Sequence, residues 1–323
     1  MQMYRGLNVA TAKATEEERE GVPHHLLDFV DPRKEISIHE FNKLAMDKIS
    51  FLLNASGKLP IVVGGTHYYI QSLIWNSLLD VNVNYSEEDH DNLEALSTEE
   101  LYKKLLEVDP DQPHHPNQRK RILSDLRLYQ ETGVAPSVLR KQQNAKRDNE
   151  EQLDNVVIWL SCNEKTLNDR LDHRVDKMVE AGLLEENLNF IKQFLNESNP
   201  DRGVWQAIGL KEFMPLCWDA EHHFNGRLEL SQHDEDVKNA LDRVKKDTQQ
   251  YAKRQITWIR NRLLSRVKHL IQVDTSQLDR WEDVVQRPVE NVVEHLLDGT
   301  LPDVKVNHAF WEQQSASLEA EEG

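Results

Sequence analysis

Cysteine, glycine and long apolar runs are all scarce in this chain of 323 residues. Its two cysteines, Cys162 and Cys217, lie far apart with no partner at metal-ligand spacing, which excludes a disulfide scaffold and a zinc site and leaves both as expected core thiols. The longest apolar runs, such as Ile61 to Val63 before Gly64, fall far short of the about 18 residues that a spanning helix needs. No charged-then-apolar leader opens the sequence, so it reads as a soluble intracellular protein with no membrane partner. The 12 glycines nowhere form a GxxxxGK[ST] phosphate loop or a dinucleotide fingerprint. What remains, 38% apolar residues, suffices for a sizeable core in roughly two domains of about 150 residues.

Positive charge is also in deficit. Against 56 acids stand 39 bases, a net charge of −17, which taken whole argues against a polyanionic partner. The acids are unevenly placed. Ser86 to Pro116 holds ten acids and two bases, and His269 to Gly323 holds twelve and three, so these two segments carry the whole excess. Arg243 to Lys268 runs the other way, with nine bases and one acid, Asp247.

Periodicity divides the chain. Ser37-Ile38-His39-Glu40 is a capping box, followed by Phe41, Leu44, Ala45, Ile49 and Leu52 at helical spacing up to Gly57. Leu59 to Val63 reads as a short buried strand, Gly64-Gly65-Thr66 as a turn, and Tyr69, Ile70 and Leu73 as the next helix, an order typical of α/β proteins with a parallel sheet. The charged segment Ser86 to Arg147, punctuated by four prolines, shows no strand pattern and reads as an inserted helical domain. Strand character returns at Asn155 to Ser161, a helix follows over Lys165 to Ala181 before Gly182, and Val244 to Val267 traces one face of a long basic helix. The boundaries expected are 1–85 for the first part of the core, 86–150 for the insertion, 151–270 for the second part of the core with its basic helix, and 271–323 for an acidic segment ending in a disordered tail.

Three constellations could carry chemistry. The strand-glycine-helix unit Ile61 to Leu73 would let backbone approach a ligand at a helix N-terminus, although a two-glycine turn is more often a mere connection; His67, Tyr68 and Tyr69 could line a pocket or simply pack at the sheet edge. Arg170 and Arg174 share a helix face and could grip a diphosphate, but spacing alone favours a solvated helix on which Asp169, Asp172 and Asp176 balance them. Gln249 to Arg262 combines bases with Tyr251 and Trp258, the pairing RNA binding uses, or else is a solvated amphipathic face. Arg119 to Arg121 and Arg140 to Arg147 add basic spots on the insertion. His24 and His25, being adjacent, diverge and read as loop residues rather than metal ligands.

In order, MQMYRGLNVATAK, GVPHHLLDFVDP, PIVVGGTHYYIQSL, HPNQRKRI with YQETG, RVDKMVEAGLLEE, GVWQAIGLKEF and YAKRQITWIR resemble the tRNA dimethylallyltransferase, or tRNA isopentenyltransferase, family from Met1 to about Arg262, with a eukaryotic flavour in HYY. The resemblance implies an α/β fold with a P-loop-NTPase-like parallel sheet core and an inserted helical domain. It implies transfer of a dimethylallyl group from dimethylallyl diphosphate to N6 of adenosine 37 in tRNA. By residue-to-residue match, Met1 and Gln2 fall in the motif facing the target adenine, and Thr66 is the GGT threonine that contacts tRNA. Arg174, with Arg170 beside it, would meet the departing diphosphate. Arg121 falls in the element touching the anticodon arm; Gln206, Ala207, Ile208, Gly209, Leu210 and Lys211 form the loop gripping it. Lys253, Arg254, Gln255, Ile256, Thr257, Trp258, Ile259 and Arg260 belong to the basic helix beside it.

The departures are specific. Met1 aligns just after the Ser-Asp-Ser of the active-site motif, so the resemblance implies that the first strand, the phosphate loop and the aspartate base are missing, that Mg²⁺ has lost its phosphate-loop ligand, that Ile61 to Val63 is left exposed, and that this chain alone is inactive. An RxxR spacing has become Arg121 to Ser124, and Gln249 stands where an arginine is expected. A non-catalytic tRNA-binding relic and an adenylate isopentenyltransferase are the alternatives. The partners implied are the tRNA anticodon arm and dimethylallyl diphosphate, with a monomer expected in the cytoplasm, or in mitochondria or the nucleus.

Overall fold

The structure, a computed structural model, describes residues 1–75, 93, 95–147, 151–197, 199–200, 202–219, 221 and 223–300, so the expected disordered tail from 301 onward lies outside the described residues. Two compact units form, one from Met1–Ile70 with the chain from Asp154 onward, the other from Gln71–Leu153. None of the described helices is long and apolar enough to cross a membrane.

In the first unit, Ser37 accepts from the Glu40 N–H while Glu40 reaches back to the Ser37 N–H, and this capping box starts α1, Ile38–Asn54. Helix α2, His67–Ile74, follows the glycine turn. Strand β1, Val157–Ser161, pairs in parallel with β2, Leu270–Asp274, from Val157 opposite Leu270 to Ser161 opposite Asp274. A parallel pair needs a long crossover, and here that crossover is helical. Other elements make up the rest. The described helices of the second unit include α3, Thr98–Val108, α4, Arg119–Thr132, and α5, Pro136–Arg147. Within the crossover come α6, Glu164–Glu180, α7, Leu183–Phe194, α8, Met214–Cys217, and α9, Glu235–Trp258. The last described helix is α10, Arg287–Leu297.

Asn163 starts α6 by accepting from the N–H groups of Lys165 and Thr166, and Gly182, at φ +95°, supplies the left-handed residue that separates it from α7. The core of this unit gathers Leu7, Leu183, Ile191, Val204, Trp205, Leu210 and Phe213, all essentially inaccessible, with Phe190 edge-on to Trp205 at 5.3 Å between ring centroids. The second unit has its own core of Leu93, Leu101, Leu105, Ile122, Leu123 and Leu126. There Asp125 is buried and answered by His114 Nε2 at 2.9 Å and by both terminal nitrogens of Arg140, while Asp109 accepts from the N–H and hydroxyl of Ser137 at the start of α5.

Three expectations change. Leu59 to Val63 forms no strand and joins no ladder among the described residues. It is not a buried strand, for Ile61, Val62 and Val63 are 80%, 53% and 89% exposed. An apolar run without alternation needs strands on both sides to be buried, and none of the described strands lies along it. Second, the boundary expected at 270/271 cuts through β2, because Leu270 and Val273 turn into the core while the acids that suggested a solvated segment begin only at Asp274. Third, Cys217 is a core thiol but Cys162 is half-buried at the end of β1, with Arg170 Nη1 at 3.5 Å from its sulfur.

Candidate nucleic-acid interface

The first thirteen residues form an irregular loop in which Leu7 and Ala12 adopt left-handed backbone, φ 52° and 47°, a cost accepted mainly where surrounding contacts over-determine the chain. Those contacts are explicit. Lys13, buried, donates to the carbonyls of Tyr4 and Gly6 at 2.6 Å each, to Asn8 Oδ1, and to Asp28 at 2.5 Å. Glu186, in the first turn of α7, accepts the N–H groups of Val9 and Ala10 at 2.9 to 3.0 Å. The Gln2 amide donates to the carbonyls of Thr11 and Ala12 at 3.0 and 2.9 Å, which spends its NH₂ on the loop and leaves its oxygen as the outward acceptor. Met1 and Gln2 are both exposed. Neither Lys13 nor Glu186 was singled out from sequence; a lone lysine gives no local cue, and Glu186 meets its partners 177 and 176 residues away.

The segment from Gln206 to Lys211 packs against this loop. At Gly209, φ +96°, an added β-carbon would meet Ala10 at 3.5 Å from its carbonyl oxygen, its own N–H is taken by Glu212, and its carbonyl by Asn187. Ala207 and Leu210 are buried and Ile208 partly so, which makes them the segment's anchor; Gln206 alone is exposed, and Lys211 pairs with Asp247 of α9 at 2.8 Å. Burial lowers the Lys211 ammonium, but its bond to Asp247 and the nearby acidic charges outweigh that and hold it above its ordinary value. The same bond is the main reason the Asp247 carboxyl sits below the usual range. Thus the single acid of the basic stretch is already neutralised.

The glycine turn lies on α9. Tyr251 Oη is 3.4 Å from both Thr66 Oγ1 and the Gly65 carbonyl, and the His67 and Trp258 rings stack with centroids 4.8 Å apart at 10°. The His67 Nε2 is buried without a partner, and burial holds its pKa below 6.5, with the Gln255 backbone pulling the other way. Lys253, Arg254, Thr257 and Arg260 are exposed, while Gln255, Ile256 and Trp258 are half-buried and Ile259 is buried. The helix then widens into a π turn over Ile259–Leu263, a form common near functional sites.

Helix α6 resolves its own charge puzzle. Asp172 accepts from Gln249 at 2.7 Å and Asp176 pairs with Lys245 at 2.6 Å, so these acids serve the contact with α9 and do not balance the arginines. Arg170 is spent on the carbonyls of Thr275 and Ser276, at 2.8 and 2.9 Å, bracing α6 to the chain after β2. Arg174, one turn on, is exposed with no ion pair among the described residues. In the second unit, Arg121 on α4 is exposed. Lys141 pairs with Asp111, so with Arg140 taken up by Asp125 the basic spot there is partly neutralised.

A family model described as IPP transferase matches residues 2–262. The chain belongs to that family. Within it, a tRNA dimethylallyltransferase of Saccharomyces cerevisiae is 35% identical over 292 residues, covering 87% of this chain and 65% of the yeast protein. A tRNA dimethylallyltransferase of Mus musculus is 31% identical over 326 residues, covering 94% of this chain and 68% of its own length. The crystallographic structure of a eukaryotic dimethylallyltransferase acting on tRNA superposes with a TM-score of 0.81 at 30% identity over 97% of this chain and 75% of that one. The IPP transferase family is one of prenyltransferase enzymes, and the α/β architecture with a parallel sheet expected from sequence is the one observed.

Magnesium, which the family implies, finds no donor set around the glycine turn, the N-terminal loop or α6. Among the described residues, the group of side chains close enough to share a cation is Asp219, Glu221 and His223, all exposed, and Asp219 Oδ1 already accepts the N–H groups of the other two. These residues do not fit a diphosphate-bound Mg²⁺, and no step below runs through one.

Proposed function

We propose that the chain takes part in transferring a dimethylallyl group from dimethylallyl diphosphate to N6 of adenosine 37 in the anticodon arm of tRNA. In that reaction the N6 nitrogen forms a bond to the donor's first carbon, the carbon–oxygen bond to diphosphate breaks, and N6 loses a proton. The reading rests above all on Arg174, a guanidinium exposed on α6 while Asp172 and Asp176 are engaged by α9. A guanidinium with no ion pair among the described residues is suited to the charge that grows on departing diphosphate. Gln2, its amide hydrogens held by Thr11 and Ala12, offers an acceptor to the N6 hydrogens of a base turned out of its stack. Thr66 and the exposed Lys253, Arg254 and Arg260 supply the hydroxyl and cations for the RNA backbone, and the helical unit Gln71–Leu153, through Arg121, a second contact to the anticodon arm.

The experiment incubates the chain with dimethylallyl diphosphate and a tRNA anticodon-arm hairpin, follows hairpin binding, and digests the product for mass spectrometry. Binding together with the gain of one five-carbon unit on adenosine supports the full reading. Binding without transfer assigns these residues the acceptor half of the reaction alone, the second reading, which the absence of a GxxxxGK[ST] motif from the 323 residues favours. Absence of binding refutes both.

A further inference from the structure

Thr66 stands in a turn that the rest of the site does not explain. Three residues of α9 at positions 251, 255 and 258 lie on one helix face, four and three residues apart. All three address the turn. Tyr251 Oη stands between Thr66 Oγ1 and the Gly65 carbonyl, 3.4 Å from each. Gln255 fills the space where a β-carbon of residue 65 would be. Trp258 carries the stacked ring of His67, the two nearly parallel at 10°. Both oxygen contacts are long for hydrogen bonds, so the tyrosine hydroxyl is committed to neither and can follow Thr66 when a ligand draws it.

We infer that Tyr251 and Trp258 are positioning residues for RNA binding: Trp258 fixes the turn through His67, and the Tyr251 hydroxyl aims the Thr66 hydroxyl at the nucleic acid. This rests on the tRNA-binding reading above. It makes a claim that reading does not, namely that Tyr251 acts through Thr66 and not by touching RNA itself.

The test measures the affinity of the whole chain for an anticodon-arm RNA hairpin in a double-mutant cycle of Thr66→Ala, Tyr251→Phe and the double variant, with thermal melts alongside. Each single substitution is expected to weaken binding about fivefold, the scale of one neutral hydrogen bond. The double variant should bind no more weakly than Thr66→Ala alone, and the salt dependence should not change, because no phosphate contact is lost. Trp258→Ala should weaken binding similarly, and Trp258→Phe, which keeps an aromatic partner for His67, should restore it. If Trp258→Ala fails to fold, the phenylalanine variants carry the test. Wild-type affinity in Tyr251→Phe, or losses that simply multiply in the double variant, would overturn the positioning role while leaving the tRNA reading intact. A wild-type chain that does not bind the hairpin overturns both.

Discussion

Gly65 lies so close to Gln255 that a β-carbon built on it would collide with the Gln255 side-chain oxygen. The crowding comes from the flexible end of an α9 side chain and not from backbone conformation. Gly65→Ala should therefore destabilise the chain by no more than about 1 kcal/mol, because that amide can swing aside. Gly65→Ala combined with Gln255→Ala should recover most of that loss, since the obstruction has gone. Denaturant unfolding of the four proteins in the cycle checks this, and an additive double variant would mean that the crowding is relieved elsewhere.

Two arginines one turn apart on α6 should behave oppositely. Arg170 donates to two carbonyls after β2. Truncating it to alanine should cost about 2 kcal/mol of stability, because charged donors leave two carbonyls wanting. Arg174 has no ion pair among the described residues. Its alanine variant should melt like the parent, within about 0.5 kcal/mol, but bind inorganic diphosphate more weakly. Calorimetric titration with diphosphate beside a thermal melt separates the two. Equal diphosphate affinity in Arg174→Ala would remove its assignment to the leaving group.

How far this was legible follows from the kind of signal. The capping box at Ser37, the left-handed Gly182 and strand β1 are local, so spacing revealed them. Asp172 and Asp176 looked like counter-charges to the arginines because sequence shows only spacing along one helix; their engagement by Gln249 and Lys245 is tertiary. Glu186 and Lys13 were invisible for the same reason, since their acceptors and donors are backbone groups of a loop whose shape no propensity encodes. The run Leu59 to Val63 is neither a strand nor buried, because a strand forms beside neighbours that its own residues do not encode. The family resemblance, which implied its exposure, carried information that periodicity lacked.

Lys211 and Asp247 offer a charge experiment. Asp247→Asn removes a partly exposed pair, so stability should fall by about 1 kcal/mol or less. It also leaves Lys211 with the Glu212 carboxylate alone, at 3.5 Å, and the basic stretch without an acid. Hairpin binding should tighten at low salt, and if that lysine gains a phosphate, the logarithmic salt slope should steepen by about 0.7. Fluorescence anisotropy across a salt series reads both. Unchanged affinity and slope would place Lys211 away from the RNA.

His67 sets a pH window. Its folded pKa lies below the ordinary 6.5, chiefly through burial, so the unfolded chain takes up a proton before the folded one does. The stability this contributes is complete above 6.5 and is lost as pH falls from there through the folded pKa. Unfolding measured by denaturant at pH 7.5, 6.5 and 5.5 (about one unit either side of the midpoint) should show the decline, and His67→Phe, which keeps an aromatic ring against Trp258, should flatten the His67 part of it. An identical pH slope in both proteins would assign the acid sensitivity to other groups.

The exposed run Leu59 to Val63 predicts how the chain behaves in solution. Ile61, Val62 and Val63 are all more than half exposed, and the run joins no ladder among the described residues. Phe51 and Leu53 of α1 add further apolar surface at 55% and 41% exposure. Such a segment is a template for pairing with a second chain. Light scattering should therefore show association that grows with protein concentration. Replacing Ile61 and Val63 with lysine should suppress it at a stability cost within about 0.5 kcal/mol, since neither side chain is buried in the folded chain. Association that persists undiminished in the double-lysine chain would shift responsibility from this run to other apolar surface, the exposed face of α1 being the first to examine by the same substitution at Phe51.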